Sequence, residues 1–156
     1  MKKAIILVLL ASIAAIGWIS VPRAEKAGQI RQDALNEIRI YAYRDWQSTG
    51  VSVYEGDLVS IRAKGTWLYT PEEYHGPEGH RRYSAPQFYP VPGVPGGALI
   101  GRIGVDGQSF YVGRGTSWQA TNDGQIYLRI DDDILSDNEG FVEIQTTVVP
   151  AEENSR

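Results

Sequence analysis

The sequence predicts an all-β fold, a small β-sandwich, and three observations predict it. From Glu37 onward apolar residues recur with a period of two in runs of four to seven residues, the pattern of half-buried strands. Gly-, Asp- and Asn-containing turn signals separate these runs. The composition, with 17 Gly, 9 Tyr and 4 Trp, is that of a turn-rich, aromatic-rich β domain rather than a helical one.

Length and composition set the bounds. A chain of 156 residues suits one domain with an accessory segment, and 42% hydrophobic content is enough for a core. A net charge of −4 offers no electrostatic footprint for nucleic acid. With no cysteine there is neither a disulfide framework nor thiol chemistry. There is no internal repeat.

The chain begins with Lys2 and Lys3, followed by an apolar run from Ala4 to Ile19 broken only by Ser12. This length lies at the boundary between a signal-peptide core and a spanning helix. Cleavage after Ala15-Ile16-Gly17 would leave the greasy terminus Trp18-Ile19-Ser20-Val21, which favours an uncleaved hydrophobic helix as signal anchor over residues 1–22. The basic start keeps the N-terminus cytoplasmic and places the rest outside, so anchor and signal peptide both mean export. Residues 23–36 are polar with a thin apolar stripe and read as a stalk.

The sandwich domain spans 37–149. Ile38, Ile40 and Ala42 alternate with Arg39, Tyr41 and Tyr43 as the first strand. Asp45 to Gly50 reads as a turn, Val51-Ser52-Val53 as a short strand, and Leu58 to Ala63 as a strand that Gly65 breaks before Trp67. Thr70 to Gly97 holds six of the eight prolines and reads as a long loop, functional or mobile. His75 and His80 lie in it. Their spacing is not a helical zinc motif, no cysteine accompanies them, and they read as exposed loop histidines rather than metal ligands or a catalytic pair. Strands resume at Ala98–Ile103, Ser109–Val112, Thr116–Gln119, Gln125–Ile130 and Phe141–Gln145, and residues 150–156 form a loose polar tail. Trp46 and Trp67 stand near strand ends and read as core. No Gly-rich phosphate loop opens a helix anywhere.

The densest chemistry is the loop Asp131-Asp132-Asp133-Ile134-Leu135-Ser136-Asp137-Asn138-Glu139-Gly140, with four Asp, one Asn and one Glu in ten residues between two strands. Such carboxylates repel one another unless solvated or bound to a hard divalent cation, and calcium accepts carboxylate, amide and carbonyl oxygens together. A solvated acidic turn is the alternative. The spacing is not that of an EF-hand, because Leu135 takes a ligand position and the flanks are strands.

The order of these pieces resembles a known family. Trp46-Gln47-x-Thr49-Gly50-Val51 is followed by Gly56-Asp57-x-Val59-x-Ile61-x-Ala63-x-Gly65-x-Trp67. Gly76-Pro77-x-Gly79 and Gly97-Ala98-Leu99-Ile100-x-x-Ile103-Gly104 come next, and the acidic loop precedes Phe141-x-x-Ile144. Over about residues 38–149 this resembles the PA-IL (LecA-like) family of bacterial calcium-dependent, galactose-binding lectins, which have a small jelly-roll β-sandwich. The resemblance implies Ca2+ held by the backbone carbonyl of Tyr69, by Asp132, by a carbonyl near Leu135, and by Asp137 and Asn138. Asp137 stands where the pattern has Asn and adds negative charge, which favours calcium further.

The sugar side departs from the pattern. The family's His-Pro and Gln after the Gly-Pro-x-Gly turn fall near Tyr83-Ser84 and Pro86-Gln87, and His80 comes three residues early. Candidate ligand-binding residues are therefore Tyr69, Tyr74, His80, Tyr83, Gln87, Asp132 and Asp137, with Trp67, Tyr74 and Tyr83 as aromatics able to pack on a sugar face.

The expected function is a calcium-dependent carbohydrate-binding, lectin-like domain in the cell envelope, anchored in the inner membrane with the domain outside the cytoplasm, or secreted after cleavage. The alternative is a structural or protein-interaction module of an envelope assembly. An enzyme is not expected: the carboxylates crowd into one hairpin loop instead of flanking a bond, and no nucleophile is paired with a base. The expected partners are a sugar, galactose-like if the resemblance holds, or an envelope protein, with the membrane reached through the N-terminal helix and no nucleic acid.

Overall fold

A computed structural model of the chain describes residues 38–70 and 73–151. The expected anchor (1–22), stalk (23–36) and most of the tail lie outside the described residues. Those that are described contain nine strands and no helix.

The strands form two antiparallel sheets. In the first, β1 (Ile38–Tyr41) pairs with β9 (Glu139–Val149), which pairs with β3 (Leu58–Thr70). The other edge of β3 carries β7 (Gly115–Gln119) along Leu58–Arg62 and β4 (Glu73–His75) along Trp67–Thr70. In the second, the order is β2 (Gln47–Val53), β8 (Gly124–Ile130), β5 (Leu99–Ile103) and β6 (Phe110–Tyr111). Alternate residues of each strand face inward. Ile40, Val59, Ile61, Ala63, Trp67, Val142, Ile144 and Val148 come from one sheet; Val51, Val53, Leu99, Ile103, Ile126, Leu128 and Ile130 meet them from the other. This is a β-sandwich, as the period-two pattern predicts.

Four expectations need correction. Strand β2 begins at Gln47, because Gln47 and Ser48 pair with Leu128 and Tyr127 where a turn was expected. Gly65 does not end β3. It takes φ +109°, which a Cβ would strain, and keeps its register with Val142, so the strand continues to Thr70. Trp46 is not core: it lies half-buried on the outer face of the second sheet, under the guanidinium groups of Arg102 (4.2 Å from the ring centroid) and Arg129 (5.6 Å). Trp67, by contrast, is fully buried, and its indole N–H donates to the Gly97 carbonyl (2.9 Å), so it cannot pack on a sugar.

The register brings three chain ends together. The acidic loop leaves β8 in one sheet and enters β9 in the other, so it crosses one end of the sandwich. Trp67 and Leu68 pair with Gly140 and Glu139, which sets Tyr69 beside the end of the loop. The β5–β8 ladder continues past Leu99: Asp131 N–H donates to the Ala98 carbonyl (2.7 Å) and Gly97 N–H to the Asp131 carbonyl (2.8 Å), so Gly97 and Ala98 flank the start of the loop.

Candidate functional site

Where these ends meet, a cleft of about 360 Å³ opens, lined by Tyr69, Thr70, His80, Arg82, Tyr83, Tyr89, Asp132, Asp133, Ile134 and Asp137. Five residues expected at the site, Tyr69, His80, Tyr83, Asp132 and Asp137, line it together.

Each wall has a local cause. Tyr69 points inward from β3 and its ring lies flat over Gly97, where a Cβ would come within 2.4 Å of the ring. Gly97 also has φ +70°, so only glycine suits the place. The loop after β4 is held by isolated main-chain bonds: His80 N–H to the Gly96 carbonyl (2.8 Å), Ala85 N–H to Val94 (2.7 Å), and Gly96 N–H to Tyr83 (2.9 Å). These hold His80 and Tyr83 against the loop's far wall.

At the base of the cleft lies a polar relay. The Tyr69 hydroxyl is 3.1 Å from that of Tyr89, within hydrogen-bond distance, and both line the cleft with Asp132. Either hydroxyl of this pair can donate to the other. Burial pushes Tyr69 up to about 12 and Tyr89 higher still, so both hydroxyls keep their protons. Asp132 is 4% exposed; its Oδ1 accepts from Asp133 N–H (2.8 Å) and its Oδ2 from Asn138 Nδ2 (2.8 Å). Burial raises the pKa of Asp132, and these hydrogen bonds oppose the rise. Its neighbour Asp131, fully buried, is pushed up to about 6 by burial despite the Val91 N–H bond to its Oδ1 (3.0 Å) and the field of Arg129.

Arg129 is the buried cation nearest these acids, but its bonds go elsewhere. It donates to the carbonyls of Ile130 (2.9 Å) and Asp132 (2.5 Å) and to the Asp45 carboxylate (2.5 Å). The Asp132 carboxylate is left without a paired cation among these contacts. Two further buried oxygens, Asn138 Oδ1 and Asp131 Oδ2, have no hydrogen-bond partner. Buried acceptors are rarely left so. A hard cation fits this donor set: carboxylate oxygens from Asp132 and Asp137, an unused amide oxygen from Asn138, and carbonyls of the surrounding loop.

The remaining expected residues are placed differently. Leu135 is half-buried, packs on the core, and its carbonyl accepts a long turn bond from Asn138 N–H (3.3 Å). Tyr74 lines the adjoining cleft beyond His80, and Gln87 is exposed in a turn and lines neither. Thr70, Arg82 and Tyr89 were not expected. Thr70 ends β3, and Arg82 and Tyr89 sit on aperiodic chain, where the Tyr and Pro content of 83–95 was the only sequence signal, for Tyr89 alone. The histidines are also not simple exposed loop residues. Because Glu73–His75 pairs with the end of β3, the His75 side chain is only 10% exposed and its ring lies 4.6 Å from that of His80.

No known protein family's sequence profile matches the chain, and no curated protein does. Among solved structures, the N-terminal domain of EclA, described as a PllA-like lectin, superposes with a TM-score of 0.57 at 21% identity, covering 72% of this chain and 94% of that domain. The chain therefore has a lectin-like β-sandwich fold.

Proposed function

We propose that this domain binds carbohydrate through a calcium ion held by the acidic loop. The observation that carries the reading is the cleft itself: Asp132 and Asp137 share it with Tyr83, His80 and Tyr89, and Asn138 keeps a buried, unused oxygen beside Asp132. The solved lectin of the same fold supports it. When bound, calcium supplies a Lewis-acidic centre to which vicinal sugar hydroxyls can add as ligands.

The chain's own residues do the rest. Asp132 is oriented before any ion arrives, by Asn138 and two backbone N–H groups. A carboxylate held in place beforehand reduces the ordering cost of binding, and the protonated Tyr69 and Tyr89 line the cleft beside it. Tyr83, 42% exposed, offers a ring face to the apolar side of a sugar, and His80 and Arg82 offer N–H donors to its hydroxyls. The apolar run Ala4–Ile19 behind Lys2 and Lys3 supports an exported domain carried on an inner-membrane anchor. The test is a glycan array probed with the full-length chain in calcium and in chelator. Binding to a defined set of glycans that chelator removes supports the proposal; glycan binding indifferent to chelator, or none in either condition, refutes it.

A further inference from the structure

We infer that Glu73, His75 and His80 form a binding site for a borderline divalent transition metal, with zinc as the natural probe, separate from the acidic loop. One ligand atom from each of the three lies within 4.8 Å of the others. Glu73 Oε2 is 3.8 Å from His75 Nε2 and 3.7 Å from His80 Nε2, and the two rings are 4.6 Å apart.

The fold builds this convergence. Glu73 and His75 are alternate residues of β4 and so project from the same face of the strand. Pairing with Thr70 and Trp67 of β3 fixes that face on a rigid sheet. The turn at Gly76–Gly79, closed by Gly79 N–H to the Gly76 carbonyl (3.0 Å), returns the chain over it, and the His80 N–H bond to Gly96 pins the second imidazole.

The donor set selects the metal. Two imidazoles and a carboxylate suit zinc and its borderline neighbours, with a fourth position left to water; calcium prefers oxygen alone. Metal bonds of about 2.0–2.1 Å in a tetrahedron need ligand atoms roughly 3.3 Å apart, so each Glu73–His pair must close by about 0.5 Å, and the two imidazole nitrogens, which lie within 4.8 Å of each other, must also draw together. Glu73, whose side chain is 62% exposed, and His80, at 22%, have the freedom to do this. The present distances are too long for direct hydrogen bonds, so the three atoms converge without satisfying one another.

The neighbours set the costs. The Thr70 hydroxyl lies 3.4 Å from His75 Nε2, a marginal contact. His80 Nδ1 accepts from Arg82 N–H (3.2 Å), and metal on Nε2 requires that nitrogen to take up the proton, giving up one solvent-exposed hydrogen bond. Arg114 and Arg81 pair with Glu78, which offsets their positive charges. Burial lowers the pKa of His75 against the opposing field of Glu73, which favours the neutral imidazole that metals bind.

The test is calorimetric titration of the untagged full-length chain with zinc in saturating calcium, paired with cobalt(II) absorption. One zinc per chain and the visible bands of four-coordinate cobalt are expected. His80→Ala and Glu73→Gln should each weaken zinc at least ~10-fold, because loss even of an outer-shell partner costs that much. Glu73 is exposed, so Glu73→Gln leaves the fold intact. Asp137→Ala in the acidic loop should leave zinc affinity unchanged. No stoichiometric zinc uptake, or uptake that both Glu73→Gln and His80→Ala leave unaltered, overturns the inference.

Discussion

Asn138 Nδ2 donates to Asp132 Oδ2 across 2.8 Å, joining two side chains that are 3% and 4% exposed. The same amide donates to the Ile134 carbonyl (3.2 Å), so both its protons are spent and its oxygen alone is unused. Asn138 is thus both the brace that holds the Asp132 carboxylate and a free donor oxygen beside it. Hydrogen bonds to charged groups contribute about 1.5–3 kcal/mol. Asn138→Ala should destabilise the calcium-free protein by about that much, read by urea denaturation, and should also remove any stabilisation by calcium. An Asn138→Ala variant as stable as the parent would show that the brace is dispensable.

Asp131 predicts a pH dependence in chelator. Its folded pKa, about 6, lies above the unfolded value of about 3.9. The folded state therefore holds this proton more tightly. The contribution to stability is fully present below about pH 3.9 and is lost as pH rises through about 6. Asp131→Asn keeps an acceptor for the Val91 N–H and removes the titration. Relative to the parent, it should gain on the order of 2 kcal/mol between pH 4 and 7.5. Parallel stability–pH curves for the two proteins would contradict this.

The two tryptophans should separate cleanly. Trp67→Ala empties a fully buried site and strands the Gly97 carbonyl, at about 3–5 kcal/mol. Trp46→Ala loses stacking with Arg102 and Arg129 on a half-buried face, at about 1 kcal/mol. Equal losses in thermal or urea unfolding would refute the assignment of one to the core and the other to the surface.

Gly97→Ala probes the floor of the cleft. The new methyl would meet the Tyr69 ring at 2.4 Å, and the ring must move off its bond to Tyr89. Overpacking of this kind costs about 1–3 kcal/mol. The variant should unfold earlier and lose part of any calcium-dependent stabilisation. A variant matching the parent in both respects would show that Tyr69 is free to repack.

The sheets were largely readable from the chain because period two survives wherever one face is buried: Val59, Ile61 and Ala63 alternate with Ser60, Arg62 and Lys64, and the structure keeps that alternation. Local breakers misled where register decided. Gly65 looked like a stop, but pairing with Val142 holds the strand through it. The acidic loop was visible because charge density is local in sequence. Tyr89, Thr70 and Arg82 were not, because the path of 70–97 depends on single long-range bonds, such as Val91 N–H to Asp131 Oδ1, that leave no periodicity behind. The pairing of His75 with His80 was hidden for the same reason: it needs both the β3–β4 ladder and the Gly76–Gly79 turn.

The most direct measurement is the melting temperature of the full-length chain in calcium and in chelator, for the parent and three variants. Extracellular calcium modules commonly bind at ~10⁻⁴–10⁻³ M, and a ligand at about 100 times its dissociation constant stabilises by about 2.7 kcal/mol. The parent should therefore melt several degrees higher in saturating calcium, with magnesium a poor substitute. Asp137→Ala, at an exposed position on the cleft, and Asp132→Ala should each abolish the shift. Asp123→Ala, which loses only the exposed bond from Glu55 N–H (2.8 Å), should keep it. Identical melting of the parent in calcium and in chelator would contradict the account and leave the acidic loop a solvated turn.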